Sequence, residues 1–111
     1  MTDDTTHSAP QSLGQRLPLI LQALKNRGLT SVVIHYRGPI MGVVFRNMQG
    51  AVVPPSPDTT AWSQQIVKVL RPILNSRYPN AAPDENYVGT FCWSLYQDTL
   101  EHQHMMVHHG L

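Results

Sequence analysis

The chain has 111 residues, of which 41% are hydrophobic and 14% are charged. This length fits one domain with a single core, and the composition is too apolar for a disordered chain. No apolar run approaches the ~20 residues that cross a bilayer, and the polar, acidic start MTDDTTHSAPQS lacks the basic and apolar parts of a secretory signal. We therefore expect no membrane association.

The charge distribution and the cysteine content indicate which partners and which cellular compartment suit the protein. All eight Lys and Arg lie between Arg16 and Arg77, spread over several predicted elements, and the pI is about 8.0. Nucleic-acid-binding domains usually have a clustered basic patch and a pI above about 9, so nucleic acid is an unfavoured partner. Cys92 is the only cysteine, which excludes an internal disulfide and suits a reducing cytoplasm. The predicted localisation is cytoplasmic.

The N-terminal part contains a tail and a first helix. Residues 1–11 have neither periodicity nor enough apolar surface to offset ordering, which predicts a disordered or extended tail ahead of a single domain over 12–111. Ser12 and Gln15 then have the spacing of a capping box, and leucines and an isoleucine recur at helical intervals as far as Leu24. Pro18 lacks a backbone donor, so we expect the regular helix to begin near it.

The segment LTSVVIHYRGPIMGVVFRN alternates apolar and polar residues and is broken by Gly38-Pro39, which predicts a hairpin. One face of this hairpin is apolar. It carries Val32, Ile34, Tyr36, Met41, Val43 and Phe45. The opposite face carries His35, Arg37 and Arg46.

The second half repeats this order of elements. A Pro-rich connector leads to a second helix, which Asp58 or Thr59 can cap and which Pro72 should kink or shorten. Two more strands follow, YVGTFCWSLY and TLEHQHMMVHH, joined tightly at Gln97-Asp98. The order α-β-β-α-β-β predicts a two-layer α+β domain, with a four-stranded antiparallel sheet and two helices on one face.

The last strand holds most of the histidines. A two-residue turn at Gln97-Asp98 would place Trp93 opposite His102 and Phe91 opposite His104. His102 and His104 would then lie on one side of the strand about 6–7 Å apart, a spacing that metal sites use when a third ligand is near. Only His108 shares their face. We predict that the histidines lie at the margin of the core and bond to backbone or water, with no metal or cofactor; a metal site of His102, His104 and His108 is the alternative.

Two separated segments resemble a family of short bacterial and plasmid-borne proteins of unknown function. The first is RGLTSVVIHYRG and the second is YVGTFCWSL with LEHQH. The residues that carry the resemblance are Gly28, Thr30, Val33, Tyr36, Gly38, Gly89, Thr90, Phe91, Trp93, Leu100 and His102. After Gly38 the chain has the apolar PIMGVV where the family tends to carry a polar Gly-Asp-Ser-Gly run. The family has no assigned chemistry to carry over.

The sequence therefore predicts a small non-enzymatic binding or inhibitory protein of the kind that mobile elements encode, because it has no catalytic signature. The alternative is a metal-binding module or metal-dependent enzyme using His102 and His104. The partner would be a protein that contacts the outer face of the sheet. The predicted contact residues are His35, Arg37, Arg46, Tyr96 and Glu101. A homodimer is also predicted, formed through the strand after Thr99 as an exposed edge.

Overall fold

The computed structural model describes residues 6–9, 13–79 and 87–106. Helices and strands follow one another in the predicted order, with one short strand added at the start. The strands are β1 (Thr6–Ala9), β2 (Leu29–Arg37), β3 (Ile40–Asn47), β4 (Tyr87–Ser94) and β5 (Thr99–Met106). The helices are α1 (Leu13–Arg16), α2 (Pro18–Asn26) and α3 (Pro57–Arg77).

The sheet is antiparallel, with the strand order β1-β5-β4-β2-β3 in the described part of the chain. Strands β2 to β5 form the four-stranded sheet that the sequence predicts, and the α+β fold class is confirmed. Within the predicted tail over 1–11, Thr6–Ala9 is extended and pairs with β5 from Gln103 to Leu100. The unpaired backbone groups along β5 explain this, because a strand edge recruits further chain. The rest of the predicted tail lies outside the described residues.

Proline shapes both helical regions. Pro18 begins α2 and separates it from the single turn of α1, as predicted. Helix α3 is capped by Ser56, two residues before Asp58 and three before Thr59, the two predicted caps. The Ser56 hydroxyl accepts from the backbone N–H of Thr59. The helix passes through Pro72 and ends at Arg77, so of the two predicted effects of Pro72, a kink or a shorter helix, the structure excludes the second. None of the helices in the described residues is long and apolar enough to cross a membrane.

The core lies between the sheet and the two longer helices. Leu24 of α2 and Ile66, Leu70 and Leu74 of α3 are fully buried or nearly so. They belong to one apolar cluster with the inward side chains of the strands. The strand residues of this cluster are Leu29, Val32, Ile34, Tyr36, Phe45, Phe91, Trp93 and Leu100.

The first hairpin matches its prediction. Arg37 pairs with Ile40 across the two-residue turn Gly38-Pro39, and Gly38 has a positive φ of 57°. The apolar residues of this hairpin face the core, and His35 and Arg37 are exposed on the other side.

The second hairpin departs from its prediction by two residues. Its turn covers four residues, 95–98, so that Phe91 faces His102 and Gly89 faces His104. A shift of two residues keeps each side chain on its predicted face but changes its neighbours. The turn is held by Asp98, whose carboxylate accepts bonds from the Trp93 indole (2.8 Å) and from the backbone N–H of Gly14 (2.9 Å).

Candidate functional site

The outer face of the sheet, defined as the side turned away from α2 and α3, presents side chains in rows that cross the strands. One row contains Gly42, His35, Thr90 and Gln103, which are neighbours on β3, β2, β4 and β5. The adjacent row contains Ile40, Arg37, Val88 and Met105. These two rows put apolar and cationic groups side by side on a surface that the helices leave open.

A groove of about 740 Å³ runs along these two rows. Its size falls within the range of about 300–1,000 Å³ that is usual for binding pockets. Gly42 provides no side chain and has open space above it, which deepens the groove at the β3 end. Ile40 and Met105 are 66% and 61% exposed although both are large and apolar. The described residues that line it are His35, Tyr36, Arg37, Ile40, Gly42, Val88, Gly89, Thr90, Gln103, His104 and Met105.

Four of the predicted contact residues lie on this outer face. His35 and Arg37 line the groove, and the His35 ring is 3.3 Å from the Thr90 hydroxyl. Glu101 lines a smaller depression of about 170 Å³ beside it, together with Cys92. Arg46 lies further along β3 and donates to the carbonyl of Gly50 at 2.9 Å. Sequence reasoning missed the apolar lining residues, because strand alternation places them on the predicted polar face.

Tyr96 does not belong with these residues. It lies in the turn 95–98 rather than on a strand, and Lys25 of α2 places its Nζ atom 5.9 Å from the centre of the Tyr96 ring. Tyr96 is therefore on the helix side. Its predicted position followed from the two-residue turn, which the structure replaces with a four-residue turn.

The single cysteine, Cys92, lies on the outer face, where its surroundings favour the protonated thiol. Burial raises the pKa of the Cys92 thiol, and the negative charge of Glu101 raises it further, while Arg46 opposes both. Cysteine nucleophiles are activated by a lowered pKa. Cys92 therefore has the environment of a packed thiol.

A buried polar network lies on the opposite face of the same strands, behind the groove. The Tyr36 hydroxyl is 2.7 Å from Nε2 of His102 and 2.5 Å from Nδ1 of His104. Arg77, in the last turn of α3, places its guanidinium 2.7 Å from Nδ1 of His102. His102 is 0% exposed and His104 is 6% exposed, so the histidines lie deeper than the predicted core margin and bond to side chains.

Gly89 makes this network possible. It lies between Tyr36 and His104 in the register of the sheet. A Cβ atom at this position would overlap the Tyr36 hydroxyl and would lie 2.5 Å from the backbone oxygen of Gln103. Only glycine lets the Tyr36 side chain cross β4 and reach the histidines.

The donors and acceptors fix the direction of each hydrogen bond. A guanidinium only donates, so Nδ1 of His102 must accept from Arg77, and the proton of this neutral ring is on Nε2. That Nε2–H donates to the Tyr36 oxygen, which leaves the Tyr36 O–H to donate to Nδ1 of His104. Burial raises the pKa of Tyr36 well above its usual value, Tyr78 adds to the rise and Arg77 opposes it, so the hydroxyl keeps its proton.

Aromatic rings enclose the two imidazoles. Phe91 stacks on His102 with 4.1 Å between ring centres, and Tyr78 stacks on His104 with 3.6 Å. Tyr87 packs at 5.4 Å from His104. The sequence predicted aromatic neighbours for His102 and His104. It did not predict the contacts of Tyr78 and Arg77, because these depend on where α3 ends.

This network does not resemble a metal site. Among the described residues, no group of three or more His, Cys, Asp and Glu side chains could hold a metal ion. Both ring nitrogens of His102 face hydrogen-bond partners, and one partner is a guanidinium, whose charge opposes a nearby cation. His108, the third ligand of the alternative hypothesis, lies outside the described residues. His35 points to the other face of the sheet.

The fold and the groove together define a small α+β protein with one open sheet face. Comparison of the chain with models of protein families, with curated proteins and with solved structures found no match.

Proposed function

We propose that this chain is a non-enzymatic binding protein that holds a protein partner against the outer face of its sheet. The observation that carries this proposal is the groove, where large apolar side chains stay exposed beside cationic ones. Ile40 and Met105 are more than half exposed at its two ends, and Arg37 lies between them. Exposed apolar surface rimmed by polar groups is typical of an interaction site.

The chemistry of the lining indicates the kind of partner segment. Ile40, Val88 and Met105 form an apolar wall, which suits an aliphatic or aromatic side chain. The guanidinium of Arg37 is permanently charged and binds carboxylates in a two-pronged geometry. An extended segment with an apolar residue next to Asp or Glu fits both features. The lining residues that the structure describes include no cysteine nucleophile and no paired carboxylates, which favours binding over catalysis.

An inhibitory role and an origin in a mobile element rest on the resemblance of the two sequence segments to short plasmid-borne proteins. A cytoplasmic location rests on the lone cysteine. These parts of the proposal are independent of the groove.

The proposal can be tested with a displayed library of random peptides selected on the wild-type chain. We expect enrichment of peptides that contain an apolar residue beside Asp or Glu. Met105→Glu should abolish their binding, because it puts a charge into the apolar wall and repels the carboxylate of the peptide. Leu19→Glu is the matched control, because Leu19 is 85% exposed on α2 and lies outside the groove.

Two results would contradict the proposal. One is a selection in which no peptide is enriched. The other is enriched peptides that bind the Met105→Glu variant and the Leu19→Glu variant equally well, which would place the contact outside the groove.

A further inference from the structure

The edge of the sheet formed by β3 is a second candidate for an interaction surface. Within the described residues, β3 has a strand on one side only, because it ends the order β1-β5-β4-β2-β3. Five successive residues of β3, Ile40–Val44, contain no charge and no proline. Natural sheets normally protect such an edge with charges, proline or a bulge. Strand β5, the edge predicted from the sequence, is covered on both sides by β4 and β1.

The backbone groups that point away from β2 can be assigned. In an antiparallel pair, residues alternate between bonding inward and pointing outward. The Phe45 carbonyl accepts from the N–H of Val53 at 2.8 Å, and the N–H of Asn47 donates to the carbonyl of Ala51 at 3.0 Å, so both face outward. By alternation, Met41 and Val43 also present their N–H and C=O groups outward. The segment around Val52 covers the far end of the edge.

We propose that a second copy of this chain pairs antiparallel with this edge, about a two-fold axis at Gly42. Two-fold pairing makes residues of one copy bond to the same set of residues on the other. If Met41 of each copy bonds to Val43 of the other, the outward backbone groups of both residues are satisfied. A register shifted by two residues towards the C-terminus would bring Met41 to Phe45, whose carbonyl is already bonded to Val53.

The residue on the axis suits this arrangement. Gly42 would face Gly42 of the second copy in a pair without hydrogen bonds, where Cα atoms approach to about 4.5 Å. A Cβ atom at Gly42 meets nothing within 4 Å in the single chain. Packing within one copy therefore does not require glycine at this position, whereas a glycine on the axis lets the two backbones approach closely.

The side chains beside the axis are also complementary. Ile40 would lie opposite Val44 of the second copy on the outer face, which covers an isoleucine that is 66% exposed in the single chain. Because Ile40 and Gly42 line the groove at the β3 end, the two grooves would meet at the axis. The second copy would then contribute to the wall of each groove.

The test measures oligomeric state by sedimentation and uses paired charge variants. Wild-type protein should sediment as a dimer of the 12.5 kDa chain. Gly42→Glu and Gly42→Lys should each raise the dimer dissociation constant by about tenfold or more, because like charges would meet on the axis. An equimolar mixture of the two variants should recover the dimer, because Glu then faces Lys.

Two control variants distinguish the effect of a charge at Gly42 from the effect of side-chain size and from the effect of a charge elsewhere on the surface. Gly42→Gln adds a side chain of equal length without charge and should weaken the dimer less than Gly42→Glu. Met48→Glu adds the same charge at a site that is 70% exposed beyond the end of β3 and should leave the dimer intact. A monomeric wild-type chain, or a dimer that Gly42→Glu leaves unchanged, would overturn the proposal. With either result the groove of the single chain remains, and peptide selection on the wild-type chain tests its binding separately.

Discussion

Removing one buried oxygen atom tests the network of Tyr36, His102 and His104. Tyr36→Phe keeps the ring but leaves the Nε2–H of His102 without its acceptor and Nδ1 of His104 without its donor. Each buried polar group left unsatisfied costs about 1–3 kcal/mol. The two together should lower the free energy of unfolding by about 2–6 kcal/mol, a large part of the ~5–15 kcal/mol that is usual for a domain.

Urea unfolding at neutral pH measures this loss directly. In a thermal melt, the same loss should lower the melting temperature by roughly 8–24 °C for a chain of this size. Tyr96→Phe is the matched control, because that hydroxyl belongs to a side chain that is 61% exposed, and its removal should change stability by less than about 0.5 kcal/mol.

Two results would refute the reasoning. A Tyr36→Phe variant as stable as Tyr96→Phe would show that the network contributes nothing. Nitrogen NMR of the histidine rings offers an independent check, because the assigned directions require unprotonated Nδ1 atoms on both His102 and His104. A proton on Nδ1 of His102 would contradict the bond from Arg77.

Three further predictions concern pH, backbone packing and the thiol. The folded chain holds the Tyr36 proton more tightly than the unfolded chain does. The stability of the folded chain should therefore be complete below the ordinary tyrosine pKa of about 10 and fall as the pH rises above it. Urea unfolding at alkaline pH should show a shallower fall for Tyr36→Phe. Gly89→Ala should lose at least about 1–3 kcal/mol through overpacking whereas Gly42→Ala should be nearly neutral, and equal losses in urea unfolding would contradict the contacts at Gly89. Glu101→Gln should speed the alkylation of Cys92 at mildly alkaline pH, and Arg46→Gln should slow it, because these charges shift the thiol pKa in opposite directions. Unchanged alkylation rates would show that neither charge affects the thiol pKa.

Periodicity was enough to predict the layered fold. The alternation from Leu29 to Asn47 identified the first hairpin and its inward face, because Gly38-Pro39 permits only a short turn there. The second hairpin was harder to predict, because its turn is fixed by contacts distant in sequence. Asp98 bonds to Gly14, 84 positions away, and local pattern carries no signal of such a bond.

The candidate site was predicted only in part for a related reason. Strand alternation correctly put His35, Arg37 and Glu101 on the outer face. It could not show the groove, which depends on how side chains from four strands meet. The buried network was not predicted, because a tyrosine among the apolar residues of a strand has the sequence pattern of an ordinary core residue. The signal available was Gly89, a glycine within a strand, which often marks a close approach by another group.

The way the N-terminal segments attach has a consequence for the order of folding. Strand β1 pairs with β5, and the N–H of Gly14 in α1 bonds to Asp98 in the last turn. During synthesis, which proceeds from the N-terminus, β1 and α1 have no docking surface until β5 and the turn before it have emerged. The first hairpin and α2 are close in sequence and can associate earlier. We expect the N-terminal segments to dock last, as the closing step of a slow, non-local assembly.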